Sequence, residues 1–372
     1  MTDATTHTRW TRDGLALARS THGDGSEVVG DPCVVWDPEI RGWRMVLFFD
    51  PPGHGTSVTR DQSAAPGTWS KPTPLQFTNP ELLPADGGTQ KPFVVTDVNH
   101  PNRASFVDGR YWLVTVSFSG TARNKRVQRA WSTSLAGPWT LEPGDLIARG
   151  NPSEFDANHC DAVSGFWSED QGRFIYYYMG YPLAPQPWRH SPYGNAIGVV
   201  SQRPGRAPER HGVMLGPSDR AGHWASGYLG GFQLLDGLHP AGRPLADGHR
   251  WVAVLNASPT PPTRDGGLTS EEPAPSLGGL AFSDSDDPTT GWWLGEEPFE
   301  WIDDIPSSAV DSGEGVNLWR QHLVVACGRT RLLYNSGVYG HEQMYSKTFA
   351  LAGDGAIGRA SVVEAARRGG AP

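Results

Sequence analysis

Cysteine is scarce: Cys33, Cys160 and Cys327 are the only three in 372 residues, and no two form a C-x-x-C pair. That scarcity excludes a disulfide-stapled scaffold and a zinc ribbon, leaving three reduced thiols as the expectation. No run of about 18 apolar residues occurs, so no membrane-spanning helix is expected. The opening MTDATTHTRW lacks the charged, apolar and small-residue stretches of an export signal, and a cytoplasmic location follows as the expectation. Basic residues are outnumbered, 31 Lys and Arg against 40 Asp and Glu, and none of their runs is long enough to track a phosphate backbone. Neither nucleic acid nor a membrane is an expected partner. A Gly-rich strand-to-helix phosphate loop and an H-x-x-x-H spacing are both missing, so nucleotide cofactors and a catalytic transition metal are not expected. A structural Ca²⁺ or Na⁺ held in a channel stays compatible with the acidic residues. Also missing is any long apolar pattern of period 3.6 with caps, which predicts very little helix.

What the chain has instead is 46 glycines, 32 prolines and 15 tryptophans. The first two cut a chain into short segments joined by turns, and the third needs broad packing surfaces or ligand platforms. A degenerate repeat runs through it. Each unit has a polar head, an apolar strand, a turn and an aromatic-rich second strand. The first unit is Asp31-Pro32-Cys33-Val34-Val35-Trp36, a turn to Gly42, then Trp43 to Phe49. The second reads His100-Pro101-Asn102-Arg103-Ala104-Ser105-Phe106, turns at Asp108-Gly109 and continues from Tyr111 to Val116. The third is Asp161 to Trp167 followed by Phe174 to Met179; the fourth is Ser226 to Leu235 and, beyond an enlarged turn, His249 to Leu255; the fifth is Gly313 to Trp319 and His322 to Cys327. Third strands closing on Gly-x-Trp follow several units, as in Ala130-Trp131-Ser132 with Gly137-Pro138-Trp139.

Short apolar runs bounded by Gly/Asp turns are strands, and five repeats of antiparallel strands close naturally into a propeller with short, protected edges. The prediction is an all-β chain, residues 1–372 as one five-bladed β-propeller with a central channel, its blades at about 31–72, 92–145, 156–205, 224–296 and 312–352. A strand at about 8–20 closes the ring. A β-sandwich is the competing architecture, but it would leave the repeat accidental.

The Asp-Pro head, apolar strand, Asp-Gly turn and Ser…Gly-Pro-Trp close together resemble the five-bladed propeller glycoside hydrolases. These comprise the arabinanase and β-xylosidase group of family 43 and the related anhydro-galactosidases. The resemblance covers about Asp31 to Phe349 through short motifs, and it implies that each inner strand starts at the channel mouth. Carried over by position, it puts Asp31, His100, Asp161 and Glu314 around one pocket for a small polar or glycosidic substrate, with Trp224 or Ser226 from the fourth blade. It assigns Asp31 the role of general base, a later acidic residue that of general acid, and a further aspartate that of tuning the acid. His100 stands at the second-blade head where the arabinanase and xylosidase pattern would show an aspartate, with Asp97 three residues earlier. Among Glu154 to Asp161, spacing alone does not choose the channel-facing carboxylate, although Asp161 has the aligned position. His341 is the histidine that the anhydro-galactosidase likeness adds as an acid candidate.

Two carboxyl or imidazole groups across a scissile bond can share acid and base work, so Asp31, Asp161, Glu314 and His341 are the catalytic candidates. His100, Asn102, Asp156 and His159 are candidates for binding substrate, and Trp36, Trp167 and Trp224 for stacking on a sugar face. Each has a structural alternative: Asp31-Pro32 is also a turn-forming pair, a lone histidine is often a hydrogen-bonded core residue, and Glu314 between glycines suits a tight turn. Glycoside hydrolysis is the leading function. A non-hydrolytic, cofactor-free cyclase, lyase or transferase on the same scaffold and a ligand-binding propeller without catalysis are the alternatives.

Overall fold

A computed structural model of the chain describes residues 10–19, 28–50, 53–64, 68–84, 88–119, 125–236, 249–259, 276–299, 314, 318–326, 329–337 and 341–349. The first strand, β1 (Trp10–Leu17), does not pair with the strands that directly follow it. Blade 1 is built from β2 (Val28–Asp37), β3 (Gly42–Asp50), β4 (Gly53–Thr59) and the short β5 (Thr73–Pro74). Blade 2 starts with β6 (Gly88–Val94). The chain then makes a detour through β7 (Thr96–Asp97), β8 (His100–Ala104) and β9 (Phe106–Val107), and the blade resumes with β10 (Arg110–Phe118), β11 (Arg126–Ser132) and β12 (Thr140–Leu141). Blade 3 is β13 (His159–Ser168), β14 (Arg173–Tyr181), β15 (Ala196–Gln202) and β16 (Glu209–Leu215). Blade 4 is β17 (Tyr228–Asp236), β18 (Trp251–Ser258), β19 (Leu277–Ser283) and β20 (Trp292–Pro298). Blade 5 takes β21 (Trp319–Ala326), β22 (Arg329–Ser336) and β23 (Gln343–Phe349) from the end of the chain and β1 as its outermost strand. The protein is a five-bladed β-propeller whose ring is locked by joining the two ends of the chain in one sheet.

Alternation and aromatic content explain the blades. In β14, Phe174 to Tyr178 are buried throughout, because this second strand lies inside its sheet and is covered on both faces. Phe93, Phe166, Tyr177, Phe232 and Trp292 carry the packing from blade 2 through blade 3 into blade 4, with neighbouring ring centroids between 4.6 and 5.8 Å apart. The closing tryptophans Trp69 and Trp139 are buried, whereas Trp293 is 40% exposed beside His249 and Phe282.

The second blade differs from the sequence expectation. Its inner strand is β6, which pairs with β10 through Val94↔Leu113 and Phe93↔Val114; the segment opening at His100 is a hairpin inserted after it. That hairpin, β7 with β8, attaches in parallel to the C-terminal end of β13 and lies against β2, β17 and β21. Asn102 pins it there. Its buried side-chain amide donates to the Val34 carbonyl of blade 1 at 2.9 Å and to the Leu323 carbonyl of blade 5 at 2.8 Å. The fifth blade differs likewise: its inner strand begins at Trp319, after the Glu314 segment and not within it.

Cys33 and Cys160 are free, buried thiols, and burial pushes Cys33 up to about 12, so both are packed groups rather than nucleophiles. Cys327 lies outside the described residues. No helix among the described residues is long and apolar enough to cross a membrane.

Replacing Asn102 by Ala removes two buried bonds between blades, taking the amide donor from the Leu323 carbonyl and leaving the Val34 carbonyl to His322. We expect a loss of about 2–4 kcal/mol, read from urea unfolding followed by tryptophan fluorescence.

Candidate active site at the channel mouth

Every inner strand carries one extra residue at the same place. Between Gly30 and Cys33, Gln90 and Phe93, Asp161 and Ser164, Leu229 and Phe232, and Trp319 and His322 the pairing with the second strand skips a residue. The bulges turn the heads of all five strands inward at one level. Four bulge residues hold a left-handed backbone without being glycine: Asp31 at φ 51°, Lys91 at 53°, Ala162 at 50° and Arg320 at 47°. Each costs about 1 kcal/mol, a strain that concentrates at sites where side-chain direction matters.

Asp31, Lys91, Asp161 and Arg320 meet there. Lys91 Nζ reaches Asp161 Oδ1 at 2.9 Å and Lys125, just ahead of β11, reaches Oδ2 at 2.8 Å. Arg320 Nε stands 3.8 Å from Asp31 Oδ1 and its Nη2 donates to the Val163 carbonyl across the axis at 3.3 Å. Asn335 of β22 clamps Asp31 from both sides, donating to Oδ1 at 2.9 Å and accepting the Asp31 backbone N–H at 2.6 Å. In blade 4 the bulge is Gly230 and Gly231, backed by Asn256 of β18, which accepts the Gly231 N–H at 2.7 Å. A Cβ on Gly231 would lie 3.2 Å from the Arg320 side chain, so the bare backbone leaves room for that arginine.

The electrostatics are uneven. Burial works against the Asp161 charge, but Lys125 and Lys91 overwhelm it and hold the carboxyl far below the usual range. Burial alone would also lower Lys91, yet Asp161 and Asp31 outweigh it and the amine is raised. Lys125 goes the other way: burial and repulsion from Lys91 exceed the pull of Asp161, and it is lowered. His159, two residues before Asp161 and so on the same face of β13, is brought to about 4, first by burial and then by Lys125, Lys91 and Arg149 against the opposing Asp161. Its ring lies 3.9 Å from that of Tyr181, and its Nδ1 is buried with no hydrogen-bond partner. Beside this mouth a cleft of about 530 Å³ is lined by Arg126, Asp145, Arg149, Ala157 and Leu183, among others.

Of the candidates read from sequence, Asp31, Asp161 and His159 come together. His100 is exposed on β8, at the end of the channel opposite the bulges, and Asp97 is bound there by Arg103. Trp36 and Trp167 sit at the far ends of β2 and β13, roughly 16–20 Å along the strands from Asp31 and Asp161. Trp224 is fully buried in blade 4, donating to the Gly295 carbonyl at 2.8 Å. Asp156 is buried under Tyr178 and Arg210 of blade 3. Glu314 is bound by Arg12 of β1 and by Tyr334. His341 is exposed, and Glu342 beside it is buried, its carbonyl accepting from Val29 N–H at 3.0 Å. Lys91, Lys125 and Arg320 were missed. For Lys91 the signal was present: Lys91-Pro92-Phe93-Val94-Val95 repeats Asp31-Pro32-Cys33-Val34-Val35. Among the described residues no three His, Cys, Asp or Glu side chains gather as a metal site.

No protein-family model and no curated protein matches the chain. Solved structures do. A protein titled a glycoside hydrolase superposes with a TM-score of 0.63 at 13% identity, over 93% of each chain. The chain shares its fold with five-bladed propeller glycoside hydrolases. A thermostable family-43 glycoside hydrolase follows at 0.57 and 13% identity, covering 90% of this chain and 92% of its own. The catalytic domain of the GH62 α-L-arabinofuranosidase of Coprinopsis cinerea matches at 0.54 and 12% identity, covering 92% and 97%.

Two outcomes follow from the electrostatics. Asp161→Asn strands two half-buried lysines and should cost about 3 kcal/mol in chemical unfolding. His54, His159 and His322 are each lowered from 6.5 to about 4, with burial the leading cause. Between those values the unfolded chain binds more protons than the folded one. Unfolding free energy should therefore drop as pH falls through that window, by up to about 1.4 kcal/mol per pH unit for each imidazole. His54→Phe, which can keep the stacking on Phe77, should reduce the slope by one such contribution in urea titrations across the window.

Proposed function

We propose that the protein is a glycosidase-like enzyme working at the bulged mouth of the channel, with Asp31 as general base. The observation that carries this is Asp31 itself, a buried carboxylate on the first inner strand, forced into a left-handed conformation and clamped on both sides by Asn335. Such a group is oriented before substrate arrives, which is what activation of a water requires. The fold likeness to glycoside hydrolases supports the reading. Hydrolysis also needs a proton for the leaving oxygen. Asp161 is held ionised by its two lysines and is a poor donor; Lys125, the cation that its surroundings disfavour, has the proton to give. In this reading Asp161 positions Lys125 and Lys91, and Tyr181 supplies the aromatic surface for a sugar face in place of Trp36, Trp167 and Trp224.

One observation favours a second reading. Lys91 occupies the second-blade head where an aspartate would tune a carboxylic acid, and a base beside ammonium groups also suits an elimination or cyclisation.

On a panel of aryl glycosides, Asp31→Asn should cut release of the aryl alcohol by about a hundredfold or more with unchanged circular dichroism. Full activity in that variant sinks the assignment. A wild-type enzyme inert on the whole panel, yet forming a new ultraviolet-absorbing double bond in a sugar, would replace hydrolysis by elimination.

A further inference from the structure

Among the described residues, the mouth carries more positive charge than its own carboxylates neutralise. Among the described residues, Lys91 and Lys125 from blade 2 and Arg320 from blade 5 face Asp31 and Asp161 only, three cations against two anions. The described residues of blade 4 contribute no charge at this level. Glu314 is already bound by Arg12, and the charges felt at the two lysines are those of Asp161, Asp31, Arg320 and, at Lys125, Lys91, with Glu342 of blade 5 not among them. Both oxygens of Asp161 are used, one by each lysine, and each ammonium has three hydrogens to donate, so donors are left over. They are reachable: the Lys91 and Lys125 side chains are 19% and 14% exposed. Next to them the Nδ1 of His159, a residue only 8% exposed, has no partner among the described residues. A buried polar atom left unsatisfied beside a charge surplus marks a place that a ligand completes. Arg149, which adds to the positive field at His159, continues it into the neighbouring cleft.

Resting on the glycosidase-like reading of the same pocket, we infer that its substrate is a sugar carrying a single negative charge, seated between Lys91, Lys125 and His159. One charge fits the surplus of one; a uronate carboxylate and a sulfate ester share that chemistry. Charge-assisted bonds from two partly buried ammonium groups are the strong kind.

The test is titration calorimetry on the full chain with D-galacturonate, D-glucuronate, galactose 6-sulfate and D-galactose, for wild type, Lys91→Met, Lys125→Met and Lys125→Arg. Each single variant leaves Asp161 one lysine, and circular dichroism verifies folding. We expect at least one acidic sugar to bind about tenfold or more tightly than galactose, the preference to vanish in the two Met variants and to persist in Lys125→Arg. Carboxylates and the sulfate ester compared side by side identify which anion is meant. Galactose binding as tightly as every acidic sugar overturns the inference, as does a preference indifferent to both lysines or no binding of any of the four. Cleavage of neutral aryl glycosides alone would overturn it and leave the glycosidase reading standing. Lysine-dependent binding of an acidic sugar with no glycoside cleaved would do the reverse.

Discussion

One extra residue per inner strand governs this molecule. A regular strand would present alternate side chains to its two neighbouring blades and nothing in particular to the axis. With the bulge, five strand heads turn together, and what those positions hold decides what the channel can do. The ring also tolerates great differences in content. Asp31, Lys91, Ala162, Gly230 and Arg320 occupy equivalent places, so backbone geometry is repeated while chemistry is not.

The chemistry that results is mutual. Asp161 is ionised because two lysines need it; Lys91 is held charged by two carboxylates; Lys125 is left with the weaker share. Arg320 reaches from blade 5 to Asp31 of blade 1 and to the backbone of blade 3, past a blade whose bulge is two glycines. Removing any member alters the protonation of the others, and no single residue's behaviour can be assigned apart from the group.

Much of the architecture was legible because turns and aromatic strands recur at the scale of a blade, and the residues of β2, β13 and β17 were read close to their true spans. Asp31 and Asp161 were found because they open apolar strands. Two heads were misplaced for one physical reason: an inserted segment imitated a strand head. His100-Pro101 repeats the Asp31-Pro32 pattern, yet β8 pairs with β7 and plugs the axis, while Lys91-Pro92 opens the true inner strand. Glu314 precedes a strand whose own head is Arg320. Charge was part of the cause. A search for acids passes over lysine and arginine, and the match between Lys125 and Asp161 spans 36 residues, a distance at which sequence gives no pairing signal. The tryptophans failed as pocket residues for a simpler reason, since strand polarity puts Trp36 and Trp167 at the opposite end from the heads.

The β7–β8 hairpin, fastened by Asn102 to the first and fifth blades, has a consequence for traffic. It stoppers the axis beneath the ion cluster, turning a tunnel into a cup. Whatever enters must leave by the same rim, tail first, so a long polymer cannot thread through. A terminal unit, a side branch or a small free molecule can be swallowed whole.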